Sequence, residues 1–464
     1  MIDVLLKDCY IVVKMKLKET SWLFRVKQWG KNELAWLRPG LGIKRWILLM
    51  IAGTALLGFS IAVVLLDIYR TVEQSWLTQV LAFLSLRFLP RWLRFVLFSG
   101  SGALCIYFSI MGLSRNILKP FMPQGAGVLD AIASYRRRER GPNVVVLGGG
   151  SGLASILRGL KKHTANITAV VTMADDGGSS GELRRRIGTP PPGDIRNCMT
   201  ALSDDEAMLT QIFRYRFGEE YNLNGHSLGN LFITALSDIT GSFEDGVAEA
   251  SRVLAITGRV MPATLQDVRL AAVKKVSLTS DSQVIRGESE ITKAPGKIER
   301  VWLDPDKPQA FPPAIQAILA ADLIIIGPGS LYTSILANVL VPDISRALNA
   351  SKAQKFYVSN ITSQPGETDG YTVGDHIKVL EKYLGSNIFD VIICNRYFSG
   401  ISLPEPLTWV TIDDNLSANY VIYPSDLVAK DKPSRHDSDK LAQIVMDLFY
   451  ERTGPLLNIN NDMT

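Results

Sequence analysis

The chain lacks several signatures that would fix its chemistry at once. Its four cysteines, among 464 residues, are scattered without CxxC spacing, which argues against a zinc site or a disulfide framework and is typical of a reducing compartment. No lysine follows Gly152, so the preceding glycine cluster is not a Walker loop. Leu153 stands where a dinucleotide fingerprint has glycine or alanine, which disfavours an NAD oxidoreductase. We therefore expect no organic cofactor. The four are Cys9, Cys105, Cys198 and Cys394.

The charge of the chain is modest and unevenly placed. The formal net charge is +5, and most of the excess comes from basic clusters near the amino-terminal segment. A nucleic-acid groove needs a basic stripe on the folded domain itself. The sequence therefore predicts no nucleic-acid partner, and it leaves open whether the chain forms a homo-oligomer.

Two long apolar runs occupy the amino-terminal third. Trp46–Leu66 is uncharged and of spanning length, and Phe95–Leu113 is a second, weaker run that contains serine and glycine. Lysines and arginines precede the first run and follow the second, which favours cytoplasmic termini, although arginines in the connecting loop oppose this orientation. The alternative for each run is a buried soluble helix. We predict a cytoplasmic segment (1–45), a two-helix transmembrane hairpin (46–113), a linker (114–142) and a cytoplasmic nucleotide-binding domain held at the cytoplasmic membrane.

The remainder has soluble composition and alternates between strand and helix patterns. Its strand patterns are continuous apolar runs, which is typical of a parallel sheet covered by helices on both faces. The fold class predicted is α/β, a doubly wound, mostly parallel, Rossmann-like sheet over residues 143–450, followed by a polar tail (451–464). A helical and β insertion is predicted at about 199–303. The predicted strands are Val144–Leu147, Ile167–Met173, Leu323–Ile326, Lys355–Ser359 and Val391–Cys394.

Two of these strands run into glycine turns that open helices. NVVVLGGGSG ends the first strand, and IIIGPGSLYTS ends the third. A strand, a glycine turn and a helix start together present free backbone N–H groups and the positive helix end to an anion. Each turn alone is also what an ordinary strand-to-helix connection requires. Two such turns at one sheet edge favour a ligand with a pyrophosphate, or a phosphorylated acceptor beside a nucleotide.

A pair of carboxylates follows the second strand. Asp175 and Asp176 come before GGSSGE, where a carboxylate could bind ribose hydroxyls and two together could hold magnesium. Ser179 and Glu182 have the spacing of a capping box, so a simple turn before a helix is the alternative. Both interpretations are compatible, because a capped helix start is itself an anion site.

Polar clusters just before and within the insertion supply further candidates. TPPPGDIRNC places Asp194, Arg196 and Asn197 on a stiff turn, where an arginine beside a carboxylate suits phosphate or sugar recognition. The alternative is a structural Asp–Arg pair. GHSLGN places His226 at a helix start, either as an acid/base or phosphate-binding group or as a cap.

The motifs together resemble one family. GGGSGL, TMADDGGSSGELRR, GTPPPGDIRNCMTALS, GHSLGNLFITAL, IIGPGSLYTS and QPGETDGYT are similar throughout to the YvcK family of gluconeogenesis factors, which belongs with the CofD-like 2-phospho-L-lactate transferases. The resemblance implies binding of a nucleoside diphosphate ligand, UDP-N-acetylglucosamine in particular, and a role in cell shape and cell-wall supply during gluconeogenic growth. For the CofD-like relatives it implies transfer of a phospholactyl group from a guanosine diphosphate donor, with release of GMP and with magnesium.

The resemblance also implies a set of site residues. Asp175, Asp176 and His226 are the catalytic candidates, and the two aspartates are the magnesium candidates. We expect either a sensor that binds a nucleotide sugar or a transferase. Both would use the same nucleotide-binding residues, so the sequence does not separate them. The implied nucleotide and phosphate contacts are Gly148, Gly149, Gly150, Ser151, Gly152, Ser179, Asp194, Arg196, Asn197, Asn230, Gly327, Gly329, Ser330 and Tyr332.

Overall fold

The computed structural model describes residues 138–454, apart from 205, 219–222, 224, 276–281, 397–401 and 417–418, together with single positions before residue 138. A compact unit begins at Arg137. Within the described part of the chain, no helix has both the length and the apolar character needed to cross a bilayer. Almost all of Trp46–Leu66 and Phe95–Leu113 lies outside the described residues, so the membrane hairpin and its orientation stay predictions.

In the described part of the chain, ten strands form two sheets. Seven of them build one sheet in which every neighbouring pair is parallel, which confirms the mostly parallel α/β class. The other three form a small antiparallel sheet. In chain order the strands are β1 Val144–Gly148, β2 Ile167–Val171, β3 Arg259–Pro262, β4 Arg269–Lys275, β5 Gln283–Arg286, β6 Lys297–Asp304, β7 Leu323–Ile326, β8 Gln354–Val358, β9 Val391–Asn395 and β10 Ile422–Ser425.

Helices cover both faces of the large sheet, which is why several of its strands are buried along their whole length. β1, β2, β7 and β9 are buried at every position. The helices are α1 Gly150–Leu160, α2 Gly178–Ile187, α3 Gly193–Leu202, α4 Glu206–Arg214, α5 Leu228–Thr240, α6 Phe243–Val253, α7 Glu288–Lys293, α8 Pro312–Leu319, α9 (a π-helical turn, Leu331–Leu336, continued by Ala337–Val339), α10 Pro342–Ala350, α11 Val373–Leu384 and α12 Ser438–Thr453.

The order in which strands are added to the large sheet reverses at β1, although all its strands run parallel. Its order is β3-β2-β1-β7-β8-β9-β10, so the chain builds outward from β1 to one edge and then returns to β1 to build the other half. Val144 pairs with Ile167 of β2 on one side and with Leu323 of β7 on the other. At such a reversal the connections leave in opposite directions and open a crevice at the carboxyl ends of the strands. The loops after β1 and β7 flank this crevice.

The insertion between β2 and β7 contains both predicted parts and one unpredicted strand. Helices α4 to α6 precede the small antiparallel sheet, which has the order β5-β4-β6, and α7 lies between β5 and β6. The unpredicted element is β3, which pairs with β2 at the edge of the large sheet. It has four residues and ends in Pro262, so no periodicity marks it, and an edge position is where a strand tolerates proline.

Candidate functional site

The two glycine loops meet. A Cβ on Gly152 would lie 2.6 Å from the carbonyl oxygen of Pro328, and one on Gly329 would lie 3.5 Å from that of Gly149. The buried side chain of Asn338 holds the arrangement, because its Nδ2 donates to the carbonyl of Gly148 at 2.8 Å. The loops after β1 and β7 therefore open onto one crevice, as a common anion site requires.

The crevice is a cavity of about 390 Å³ with mostly neutral, polar walls. Arg435 is the one cationic side chain among its lining residues. The walls come from the loops after β1, β7 and β8 and from the segment before α12. The predicted residues that line it are Gly149, Gly150, Ser151, Gly152, Gly329 and Ser330, whereas Gly148 and Gly327 lie in the turns behind.

The start of α1 is the anion-facing element of this crevice. Gly149 is its N-cap and offers no side chain, and Gly150 has a φ of +62°, in the left-handed region that favours glycine. Among the described residues no acceptor bonds the amides of Ser151 and Gly152. The amide of Gly150, however, donates to Oδ2 of Asp194 at 2.7 Å. An internal carboxylate thus occupies part of the cradle that the sequence predicts for phosphate.

Carboxylates gather beside this cradle. Burial, together with the nearby carboxylate of Asp175, raises the pKa of Asp194 to about 6. Burial likewise raises the pKa values of Asp175 and Glu288. In the described part of the chain, no three His, Cys, Asp or Glu side chains are placed to hold a metal by themselves. The cluster is therefore a concentration of negative charge without a complete protein-built metal site.

The two adjacent aspartates point to different partners. Asp175 accepts from the amide of Gly177 at 2.9 Å and forms part of the carboxylate cluster. Asp176 accepts from the amide of Ser289 at 3.0 Å, in the first turn of α7. Asp176 thus connects the loop after β2 to the insertion.

A directional hydrogen-bond chain lies behind the crevice. Arg196 Nη1 donates to Asn230 Oδ1 at 2.9 Å, which leaves Asn230 Nδ2 to donate to Ser179 Oγ at 3.1 Å. The hydroxyl of Ser179 can then donate to Nδ1 of His226 at 2.9 Å, while Nε2 of His226 faces Glu182 at 3.6 Å. All but Arg196 and Glu182 are buried. These hydrogen bonds link α3, α5 and α2. His226 lines neither the crevice nor the cavity next to it.

Two further predicted residues are placed apart from the crevice. Asn197 accepts from Arg196 at 3.0 Å and lines the neighbouring cavity. Tyr332 is buried, its hydroxyl lies 2.9 Å from that of Tyr371, and it faces a different cavity beside α11. Their roles toward a ligand stay predictions.

Four residues of the crevice wall carry signals too weak for the sequence to assign. Gln364 donates to Ser330 Oγ at 2.5 Å, and buried Glu367 accepts from Thr333 Oγ1 at 3.3 Å. Arg435 and His436 enter from the segment before α12. In the sequence, the Gln364 loop is only a polar loop after a strand, and SRHDSD is only a helix-start pattern.

His436 is a neutral wall group. Burial lowers its pKa to about 4, and its Nε2 lies 3.1 Å from the carbonyl oxygen of Ser359, which only an N–H can satisfy. Its own carbonyl accepts from Ser155 Oγ at 3.1 Å and so ties this segment to α1.

The chain is similar to known proteins over the region that contains this site. The family described as 2-phospho-L-lactate transferase CofD matches residues 144–415, which include both glycine loops and the carboxylate cluster. The chain belongs to the CofD family. The resemblance expected from the motifs is thereby confirmed.

Within the CofD family the chain is similar to gluconeogenesis factors. The gluconeogenesis factor of Bacillus subtilis is 42% identical over 67% of this chain and 99% of its own length. A gluconeogenesis-factor relative from Nostoc sp. (strain PCC 7120) is 44% identical over 92% of this chain and 93% of its own, so its match extends well into the amino-terminal third. A crystal structure of a UPF0052-family protein from Bacillus halodurans is 40% identical, with a TM-score of 0.61, over 66% of this chain and 99% of that one.

Proposed function

We propose that this CofD-family protein binds a nucleotide sugar, UDP-N-acetylglucosamine, in the crevice between the loops after β1 and β7. The observation that carries the proposal is the meeting of two glycine turns over the open start of α1, where the amides of Ser151 and Gly152 are free to bind a diphosphate. The neutral polar groups around them suit the hydroxyls and amides of a sugar or a base.

We further propose that the protein acts as a regulator of cell shape and cell-wall supply during gluconeogenic growth, anchored to the cytoplasmic membrane through residues 46–113. Similarity to gluconeogenesis factors supports the physiological part. The apolar runs Trp46–Leu66 and Phe95–Leu113 support the anchor. Removal of residues 1–113 should release the protein from membranes and leave ligand binding intact.

Magnesium fits the carboxylate cluster as a companion of the ligand. Asp175 and Asp194 repel each other, and a divalent cation between them and the diphosphate would neutralise both charges. Magnesium commonly takes one or two carboxylates and completes its shell with substrate phosphates and water, so a pair is sufficient. When bound, the ion would polarise the diphosphate, while the chain's own groups orient it. Asp176, held by α7, would contribute to the insertion rather than to the ion.

The carboxylate cluster also favours a second candidate function, CofD-like transfer of a phosphoryl-linked group with release of a nucleoside monophosphate. A carboxylate whose pKa is about 6, as at Asp194, is suited to accept a proton from an attacking hydroxyl near neutral pH. The two functions differ in whether the bound ligand is consumed.

Calorimetry on the full-length protein in detergent tests the proposal, with UDP-N-acetylglucosamine, uridine and NAD as ligands and with magnesium present. We expect UDP-N-acetylglucosamine to bind at least about 100-fold more tightly than uridine, because uridine cannot use the amide cradle. Equal affinities, or no binding of the sugar nucleotide, would refute the site. Mass spectrometry after hours of incubation with a hydroxyl-bearing acceptor then separates the candidates, since an intact ligand supports the sensor and released UMP supports the transferase.

A further inference from the structure

A second cavity adjoins the crevice beside the first turn of α1. It has a volume of about 360 Å³ and shares Ser151, Ser155, Arg435 and His436 with the crevice. Its remaining walls come from α1, α3, α4 and the segment 429–439, which leads into α12. We propose that this cavity is a separate anion site, which takes a small phosphorylated metabolite with hydroxyl groups, such as a sugar phosphate.

The charge of the cavity wall is the first support. Six basic side chains and three carboxylates line it, which leaves three positive charges in excess. Guanidinium groups bind phosphate through paired N–H donors, so this composition favours a phosphate over a neutral ligand. The basic residues are Arg158, Lys162, Arg196, Arg214, Lys432 and Arg435, and the acidic ones are Asp431, Asp437 and Asp439.

The pairing of these cations is the second support. Arg158 is paired with Glu206, and Lys162 Nζ lies 2.6 Å from Asp439. In contrast, the side chains of Arg214, Lys432 and Arg435 have no hydrogen-bond or ion-pair partner among the described residues. They are free to turn toward an anion in the cavity.

Repulsion among the arginines is the third support. Burial, together with the positive charges of Arg216 and Arg214, lowers the pKa of Arg196 to about 10. Arginines held near one another gain from a bound anion that neutralises their field. Thr200 and Asn197 line the same cavity and can bond hydroxyl groups of the ligand.

The cavity is not needed for the diphosphate of a nucleotide sugar. That group is served by the amides at the start of α1, in a crevice where Arg435 is the one cationic lining residue. A sugar nucleotide has no further anionic group to place among the arginines. The basic cavity therefore fits a second, separately bound molecule, whether or not the crevice holds UDP-N-acetylglucosamine.

The test uses calorimetry on the full-length protein with inorganic phosphate and glucose 6-phosphate, and with glucose as the uncharged control. The titrations are repeated in the presence of saturating UDP-N-acetylglucosamine. The variant is the pair Arg214→Ala and Lys432→Ala, both exposed, so folding is expected to be unaffected. The matched control is Arg346→Ala with Lys378→Ala, which removes the same charge from exposed positions that line neither cavity.

We expect glucose 6-phosphate to bind with or without the nucleotide, glucose not to bind, and the cavity variant to lose at least about 10-fold in affinity. Its affinity for UDP-N-acetylglucosamine should change by less than about 2-fold, as should both affinities in the control. Three results would overturn the inference: no binding of either phosphate compound, competition between them and the nucleotide, or an equal loss of nucleotide affinity in the cavity variant. Failure of the wild type to bind the nucleotide would instead count against the crevice alone.

Discussion

The two cavities beside the first turn of α1 have opposite constructions. The crevice presents main-chain amides and small side chains, whereas its neighbour presents six basic side chains. Amides are placed by the helix and the strand end, so they fix the position of an anion closely. Long charged side chains attract anions over a longer range, but exposed charges are screened by salt. Two adjacent cavities can therefore offer an anion different chemical groups.

The two cavities also differ in how far apart in the sequence their lining residues lie. The crevice depends on short motifs at strand ends, in which neighbouring residues act together. The basic cavity is assembled from four separate segments, so that Arg158, Arg214 and Lys432 become neighbours only after folding. Substitutions that weaken binding in one cavity and not in the other would support two separate sites, and substitutions that weaken binding in both would contradict them.

The largest effect is expected from Lys274→Met. Lys274 is fully buried and donates to the carbonyls of Ile291 at 2.8 Å and Gly366 at 2.6 Å, which ties the small sheet to the crevice wall. Loss of these charge-assisted bonds should lower the free energy of unfolding by about 3–5 kcal/mol and weaken nucleotide binding. Denaturant unfolding and calorimetry measure both quantities.

Binding of phosphate in the basic cavity should persist in the folded Lys274→Met protein. The matched control is Lys275→Met, the next and partly exposed residue, for which a change below about 0.5 kcal/mol is expected. Equal destabilisation by the two substitutions would show that Lys274 does not have the role assigned to it.

A smaller effect, confined to the crevice, is expected from Gly152→Ala. The new Cβ would lie 2.6 Å from the carbonyl oxygen of Pro328, so the two loops must move apart. If this movement costs about 2–3 kcal/mol of binding free energy, the nucleotide sugar should bind roughly 30–150-fold more weakly. Gly329→Ala in the same crevice is the control, because its Cβ would make an ordinary contact at 3.5 Å. Similar losses in the two variants would count against the loop geometry.

The smallest effect concerns pH and the boundary between the cavities. Burial lowers the pKa of His436 from 6.5 to about 4, so folding favours the neutral imidazole. The contribution of the neutral imidazole to the free energy of unfolding is fully present above pH 6.5 and is lost as the pH falls toward 4. Between pH 7 and pH 5 the loss should be about 1–2 kcal/mol.

His436→Asn should remove that part of the pH dependence, and thermal or denaturant unfolding at both values measures it. His163→Asn serves as the control, because His163 is only partly buried and should contribute less. If wild type and His436→Asn lost the same stability between pH 7 and pH 5, His436 would not be the titrating group.

Local patterns predicted the parts of this molecule that local forces build. Continuous apolar runs such as Val144–Leu147 identified the central strands, because both faces of those strands are covered. The turns at Gly150 and Gly329 were predicted to face one crevice, since parallel strands end at a common edge, and the contact of Gly152 with Pro328 bears this out.

What the sequence did not predict depends on distant partners. The short strand β3 forms because β2 offers it an edge, not because of its own pattern. Asn338 reaches the end of β1 from 190 positions away, and Arg435 and His436 reach the crevice from beyond the recognised motifs. The different partners of Asp175 and Asp176 also depend on where the insertion folds back.

The bond from the Gly150 amide to the Asp194 carboxylate has a consequence for selectivity. The carboxylate of Asp194 already occupies the first amide of α1, so an incoming anion meets only the next two amides, those of Ser151 and Gly152, without competition from a described residue. A simple ion such as chloride would gain little beyond these two amides. The proposed nucleotide sugar would also contact the polar walls, so the crevice should discriminate against the simple anions of the cell.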